Sequence, residues 1–248
     1  MTGLVWDGCV NVRDLGGLET EDGGETQPGR LVRADNLRRL SDEGWRALEA
    51  AGVRRVVDLR FPEELAEDPP GDVPVEVVHV SLLGASRTPE WEAEFNDAMD
   101  RAATAEEYLV WSYLEFLERY RRQFGRALQA IADAPDGAVA VHCVGGKDRT
   151  GLIAALALRL AGVAAETVAA DYALTEANLA PSHPEWVAAA ADAAERRRRE
   201  LLLPSPPGAM LRVLEELERR YGGVGAYLRA AGLDDERLRR LRSRLLDA

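Results

Sequence analysis

Two apolar patterns alternate along this 248-residue chain: short valine-rich runs, and longer stretches in which apolar residues recur every three or four positions. The first predicts strands and the second helices. Residues 1–35 carry little of either, and predict irregular structure with turns at Gly16-Gly17 and at 21–24 and a strand over 30–33. Ser41 suits the N-cap of a helix over 41–51 that Gly52 stops, and 53–59 follows as a strand. That order points to a parallel sheet. Residues 61–74 form a Pro- and acid-rich loop before a strand over 75–82, in which His79 reads as a structural residue among valines. The stretch 89–134 is helical, with Trp111, Leu114, Leu117 and Phe124 at core spacing. A helix over 165–179 precedes a long one that Pro184 starts and that runs through Leu203. Pro204 to Pro207 breaks it, and amphipathic helices over 210–221 and 234–246 close the chain. No internal repeat or low-complexity tract stands out beyond the alanine-rich helices.

The stretch 138–162 organises the rest. Residues 138–143 are Val- and Ala-rich, as expected of a central strand buried on both faces. Residues 149–160 are apolar almost all round apart from Arg159, which predicts a buried helix, and Gly162 is a natural stop. The whole chain therefore reads as one α/β domain, 1–248, with a central, mostly parallel sheet flanked by helices and a helical C-terminal half.

Between that strand and helix, five residues separate Cys143 from Arg149, and two of them are Gly145 and Gly146. Glycines in so short a turn let backbone amides converge on an anion, with the positive end of the following helix behind them. Arg149 can offer a planar fork to two phosphate oxygens. The same donors would hold Cys143 as a thiolate. Nucleophile and phosphate then share one loop, Val144, Gly145, Gly146, Lys147, Asp148 and Arg149. A nucleotide-binding Walker loop would need Gly at 141 and Ser or Thr at 148, where Val141 and Asp148 stand. A zinc site would need further Cys or His partners at ligand spacing.

The segment His142-Cys143-Val144-Gly145-Gly146-Lys147-Asp148-Arg149-Thr150-Gly151 resembles the signature loop of the cysteine-dependent protein tyrosine phosphatases. Its GKDRTG form, with Asn11-Val12-Arg13-Asp14-Leu15-Gly16-Gly17, is similar to the bacterial branch of that family. The likeness extends through Val56-Val57-Asp58-Leu59-Arg60 to Tyr221-Gly222-Gly223-Val224 and Tyr227-Leu228. It implies a tyrosine-phosphatase-like fold and hydrolysis of phosphate monoesters, foremost protein phosphotyrosine, through a cysteinyl-phosphate. Phosphoinositides or dual specificity are the alternative. In such a fold Asn11, Arg13 and Asp14 would brace the core and loop, though a local Asx turn accounts equally for Asp14. His142 would fix the cysteine, and Thr150 would donate to its sulfur. The general acid is expected to be Asp58, at a strand end that the resemblance places near the pocket. Asp148 is the second choice, since a carboxylate inside a phosphate nest needs a reason to be there. No metal or cofactor is called for. A phosphate-binding module without turnover, and a rhodanese-type sulfurtransferase, are the rival classes.

Composition and charge patterning sharpen the picture. A net charge of −12 argues against general binding to nucleic acid or an acidic membrane surface. The chain holds 30 arginines and one lysine, Lys147, which suggests a compact, mobile ammonium at the loop. The basic run Arg196 to Arg199 is either a solvated helix face or part of a helical lid, 182–204, drawing a polyanionic substrate. Two cysteines, Cys9 and Cys143, make no disulfide framework, and Cys9 reads as a small buried hydrophobe. With no apolar run of about 18 residues and no leader pattern, the expected location is the cytoplasm, with leaderless export left open.

Overall fold

Strand Ala138–His142 is buried at every position, because it lies at the centre of a sheet covered on both faces. The computed structural model describes residues 4–68, 73 and 75–247. In chain order its elements begin with β1 (Arg13–Asp14), β2 (Leu31–Ala34), α1 (Asp42–Ala50), β3 (Val53–Asp58), α2 (Pro62–Glu67) and β4 (Glu76–His79). Next come α3 (Pro89–Arg101), α4 (Ala105–Arg119), α5 (Arg121–Ala132), β5 (Ala138–His142), α6 (Asp148–Ala161) and α7 (Ala165–Leu179). The chain ends with α8 (His183–Ala188), α9 (Ala193–Leu201), α10 (Pro207–Tyr221), α11 (Val224–Ala230) and α12 (Asp235–Leu246). The strand order is β1-β2-β5-β3-β4, and only β1 runs antiparallel to its neighbour. A mostly parallel α/β sheet is therefore what forms, and from α6 onward the elements of the described residues are all helical.

The pleat of β5 sorts its side chains between two cores. Val139 and Val141 enter the larger one, built with α4 to α7 and the C-terminal helices, whereas Ala138 and Ala140 enter a smaller one with Trp6, Leu37 and Leu48. Helix α6 lies within the larger core, and ten of its fourteen residues are buried. It ends where Gly162 takes a φ of +96°, letting the Val163 amide close back on the Leu158 carbonyl at 3.0 Å.

Several boundaries differ from those the sequence predicts. The stretch 89–134 is three helices: Thr88 and Thr104 cap the first two by accepting the backbone amides of Trp91 at 3.2 Å and of Glu107 at 3.1 Å, and the third starts after Tyr120 without a side-chain cap. The predicted loop 61–74 contains α2, entered through Pro62, with the Glu64 carboxylate accepting the Phe61 amide at 2.8 Å. Residues 69–72 and 74 of that loop, and residues 1–3 and 248 of the predicted domain, lie outside the described residues. The long helix expected from Pro184 through Leu203 is two, because Asp192 caps a second start by accepting the Glu195 amide at 2.7 Å. The break expected at 204–207 ends one residue early, with Pro207 opening α10. The strand expected over 75–82 is only β4, and α11 was not predicted at all.

If α6 is the hub of the core, Leu156→Ala, at a 1 % exposed position, should cost about 2–5 kcal/mol in urea unfolding. Leu174→Ala, at 40 % exposure on α7, should cost a small fraction of that.

Candidate active site

Strand β5 delivers Cys143 to the C-terminal edge of the sheet, where open α/β sheets bind ligands. The turn from Cys143 to Asp148 then reverses into α6. Every carbonyl of that turn has a donor. His142 Nδ1 lies 3.0 Å from the Cys143 carbonyl, and the Asn36 amide donates to Val144 at 2.9 Å. Asn11 Nδ2 donates to Gly145 at 3.0 Å, Arg33 Nη2 to Gly146 at 2.8 Å, and the Gly151 amide to Lys147 at 2.9 Å. Among the described residues, the amides of 144–149 donate to no protein group. With the carbonyls tied back and the amides unspent, the loop is an anion nest at the N-terminus of α6. Gly146 has φ +65°, and a Cβ there would sit 2.4 Å from the Ala34 carbonyl oxygen, so only glycine lets the turn lie this close to β2.

Behind the nest stands a buried charge cluster. Asp171 on α7 binds Arg13 Nε and Arg33 Nη1, both at 2.6 Å. Arg13 also donates to Asn11 Oδ1 at 2.7 Å, and Asn178 donates to the same oxygen at 3.1 Å. Burial would raise the Asp171 pKa, but the two guanidiniums prevail and hold it below the ordinary carboxylate range. One carboxylate does not fully compensate two buried cations: burial and the charge of Arg33 pull Arg13 down to about 10. The expectation that Asn11 and Arg13 brace the loop matches these contacts, while Asp14 makes a local turn, accepting from the Gly16 amide at 2.8 Å and the Gly29 amide at 2.6 Å.

A cavity of about 660 Å³ opens over the nest, and Cys143, Val144, Gly145, Lys147, Asp148 and Arg149 all line it. Gly146 does not line it. The Cys143 sulfur accepts from Thr150 Oγ1 at 3.2 Å. Asp148, in the first turn of α6, accepts from Tyr113 Oη at 2.5 Å. Arg149 presents both terminal nitrogens to Glu64 of α2, at 2.6 and 3.0 Å. Burial disfavours that cation, yet Cys143 and Glu64 keep it above its usual value. The fork expected for phosphate thus rests on a carboxylate, with the Phe61 ring 5.3 Å away.

Two expectations, Asp58 as the acid and Lys147 as a mobile ammonium, are corrected by these positions, while the Arg196 to Arg199 run takes the solvated-face reading. Asp58 is 2 % exposed and does not line the cavity. It is bound by Arg60 at 2.8 Å and lies 3.5 Å from His142 Nε2. Burial alone would raise its pKa, but His142 and Arg60 hold it well below the ordinary range; a carboxylate so held has no proton to give. Lys147 is no mobile ammonium: it is 6 % exposed, and Nζ donates to the Leu202 carbonyl. Burial lowers its pKa, against the pull of Asp148 and Glu176. Arg196 to Arg199 do not line the cavity. Arg198 pairs with Asp100 of α3 at 2.5 Å, and Arg199 pairs with Glu195 and lies over Trp186. The segment itself does reach the site, since His183, Trp186, Leu202 and Leu203 form one wall. Sequence reasoning missed Glu64, Tyr113 and Asp171. Only Glu64 carried a usable signal, the Pro62 to Glu64 helix start.

A cysteine at the floor of an amide nest, with an arginine in the next helical turn, defines a cysteine-dependent phosphatase. A family model described as the tyrosine phosphatase family matches residues 4–247, and the chain belongs to that family. It is 31 % identical over 227 residues to a tyrosine-protein phosphatase of Nostoc commune, covering 87 % of this chain and 74 % of the other. It is 29 % identical over 280 residues to the triple specificity protein phosphatase PtpB of Mycobacterium tuberculosis, covering 96 % of this chain and 97 % of the other. The protein is an enzyme that removes phosphate from phosphotyrosine.

The Asp171 cluster sets a pH-dependent expectation. A carboxylate with a depressed folded pKa stabilises the fold above its unfolded value of about 4, and that contribution fades as pH falls through the folded value. Asp171→Asn leaves two buried guanidiniums facing a neutral amide. It should cost about 3–5 kcal/mol at pH 7, and in urea titrations the gap to the parent should narrow below about pH 4.

Proposed function

We propose that Cys143 is the nucleophile: its thiolate attacks phosphorus in line, and the bond from phosphorus to the leaving oxygen breaks as a cysteinyl-phosphate forms. The unspent amides of 144–149 and Arg149 take the equatorial oxygens, whose charge grows in the transition state. For Arg149 this means trading Glu64 for phosphate. Thr150 stabilises the sulfur when water displaces it in the second step. Asp148 is the general acid, protonating the leaving oxygen and then accepting a proton from that water. Asp58 acts only through His142, whose ring it faces and which in turn grips the Cys143 carbonyl. The single observation that supports this reading is that Cys143 lines the cavity within a loop whose carbonyls each accept a hydrogen bond while its amides donate to no described protein group.

The chain is one catalytic domain, 1–248, with 182–204 as a helical lid over the cavity. The cytoplasm is the proposed location, where a nucleophilic thiol stays reduced; among the described residues no helix is long and apolar enough to cross a membrane.

Phosphotyrosyl protein is the first substrate class. Lys147 and the Arg196 to Arg199 run, the cations that an inositol headgroup would draw on, are engaged elsewhere. A cavity of about 660 Å³ exceeds one phosphotyrosyl side chain, and this supports phosphoinositides as a second class. Against a phosphotyrosyl peptide and a phosphatidylinositol monophosphate in mixed micelles, the peptide should show the higher kcat/KM. A reversed order would make the lipid the first class.

Cys143→Ser should abolish turnover of an aryl phosphate, while a chelator leaves the parent unaffected. Asp148→Asn should slow an alkyl phosphate by roughly 100-fold and a nitrophenyl phosphate far less, because only the poor leaving group needs the proton. Asp58→Asn should slow both alike. Equal losses in Asp148→Asn would remove it from the acid role.

A further inference from the structure

Tyr113 lies in α4, in a stretch whose other aromatics pack as core, and is itself 1 % exposed. Its hydroxyl does not end in that core. It donates to Asp148 Oδ1 at 2.5 Å and lies 2.8 Å from the hydroxyl of Tyr172 on α7. A phenol has one proton. With that proton committed to the carboxylate, the Tyr113 oxygen must accept from Tyr172, so the donors run in one direction, Tyr172 to Tyr113 to Asp148. The two rings stand edge to face at 6.2 Å with an interplanar angle of 90°, which fixes where the Tyr113 oxygen lies. Burial, and next the charge of Asp148, push the Tyr113 phenol well above its ordinary value. It therefore keeps its proton throughout the working range of pH.

The other carboxylate oxygen of Asp148, Oδ2, accepts from no described group and is not sealed from solvent, in a residue that lines the cavity. The two oxygens are thus inequivalent. Oδ1 is occupied by the Tyr113 hydroxyl in the ionised carboxylate, so the open position for an incoming proton is Oδ2.

We infer that Tyr113 is a positioning residue for acid catalysis: its hydroxyl claims one oxygen of Asp148 and leaves the proton on the oxygen that faces the substrate. The inference rests on the assignment of Asp148 as the acid. In the step, the Oδ2–H bond breaks as the leaving oxygen takes the proton. The carboxylate so formed keeps the Tyr113 hydrogen bond, and Tyr113 itself neither gains nor loses a proton. A tyrosine held there only to fill the core would also need a partner for its buried hydroxyl, so geometry alone does not separate the two roles. Kinetics does.

The test is a double-mutant cycle read on two leaving groups. Tyr113→Phe keeps the ring and its packing, and thermal unfolding shows whether the fold is intact. In the full-length enzyme it should lower kcat for an alkyl phosphate by about 10-fold, a part of the 10²–10⁴ that acid catalysis supplies, and leave kcat for a nitrophenyl phosphate within about 2-fold, with KM for both unchanged. Tyr113→Phe placed on Asp148→Asn should add almost nothing, because the group it positions is gone. Tyr172→Phe should reproduce the selective loss at smaller size. Equal slowing of both substrates by Tyr113→Phe, or a loss that adds fully to that of Asp148→Asn, would reduce Tyr113 to core packing. If Asp148→Asn itself shows no dependence on leaving group, it is the assignment of the acid that fails. If Asp148→Asn does and Tyr113→Phe does not, only the present inference falls.

Discussion

The site depends on one constraint: a turn of about six residues must point its amides inward, and it does so because each of its carbonyls is bound from outside. The donors come from far apart in the chain, Asn11 and Arg33 before the first helix, Asn36 beside it, His142 within the central strand and Gly151 in the helix that follows. Removing the donors would free the peptide planes to rotate, and a nest whose planes rotate is no longer preorganised for a dianion. Asp171 matters for the same reason. It pairs with Arg33, which ties Gly146, and with Arg13, which holds Asn11, and so supports the geometry without lining the cavity.

Charge is organised in shells. The arginines nearest the nest are paired with carboxylates: Arg149 with Glu64, Arg60 with Asp58 and Asp68, and Arg13 and Arg33 together with Asp171. An acidic chain can thereby host an anion site, since the pairing lowers the cost of burying the guanidiniums. The nest itself relies on partial charges of the backbone, which carry no counter-ion.

Much of the fold was legible in the sequence, because strands 53–58 and 138–142 and helices such as 165–179 follow period rules that burial enforces. The missed boundaries share a cause. A side-chain cap from Thr104 or Asp192 restarts a helix inside a run whose apolar spacing barely changes. Within the site, Cys143, Arg149 and the glycines were legible since loop chemistry is local in sequence. Asp171 and Tyr172 were not, for they are ordinary members of an alanine-rich helix until the fold brings α7 against the loop. Asp58 misled because a strand-end carboxylate in an α/β sheet is well placed for catalysis in general; Arg60, two residues on, takes it out of use.

The longest of the carbonyl ties spans 134 residues, from Asn11 to Gly145. Such a contact forms only after the loop-closure entropy between the two ends has been overcome. The N-terminal segment leaves the ribosome first and pairs early with β2, yet the Asn11 side chain has no loop carbonyl to grip until the central strand and its helix emerge and dock. The pocket is therefore a late product of folding, and a partly folded chain would carry its thiol exposed but without the cradle that makes it selective for phosphate.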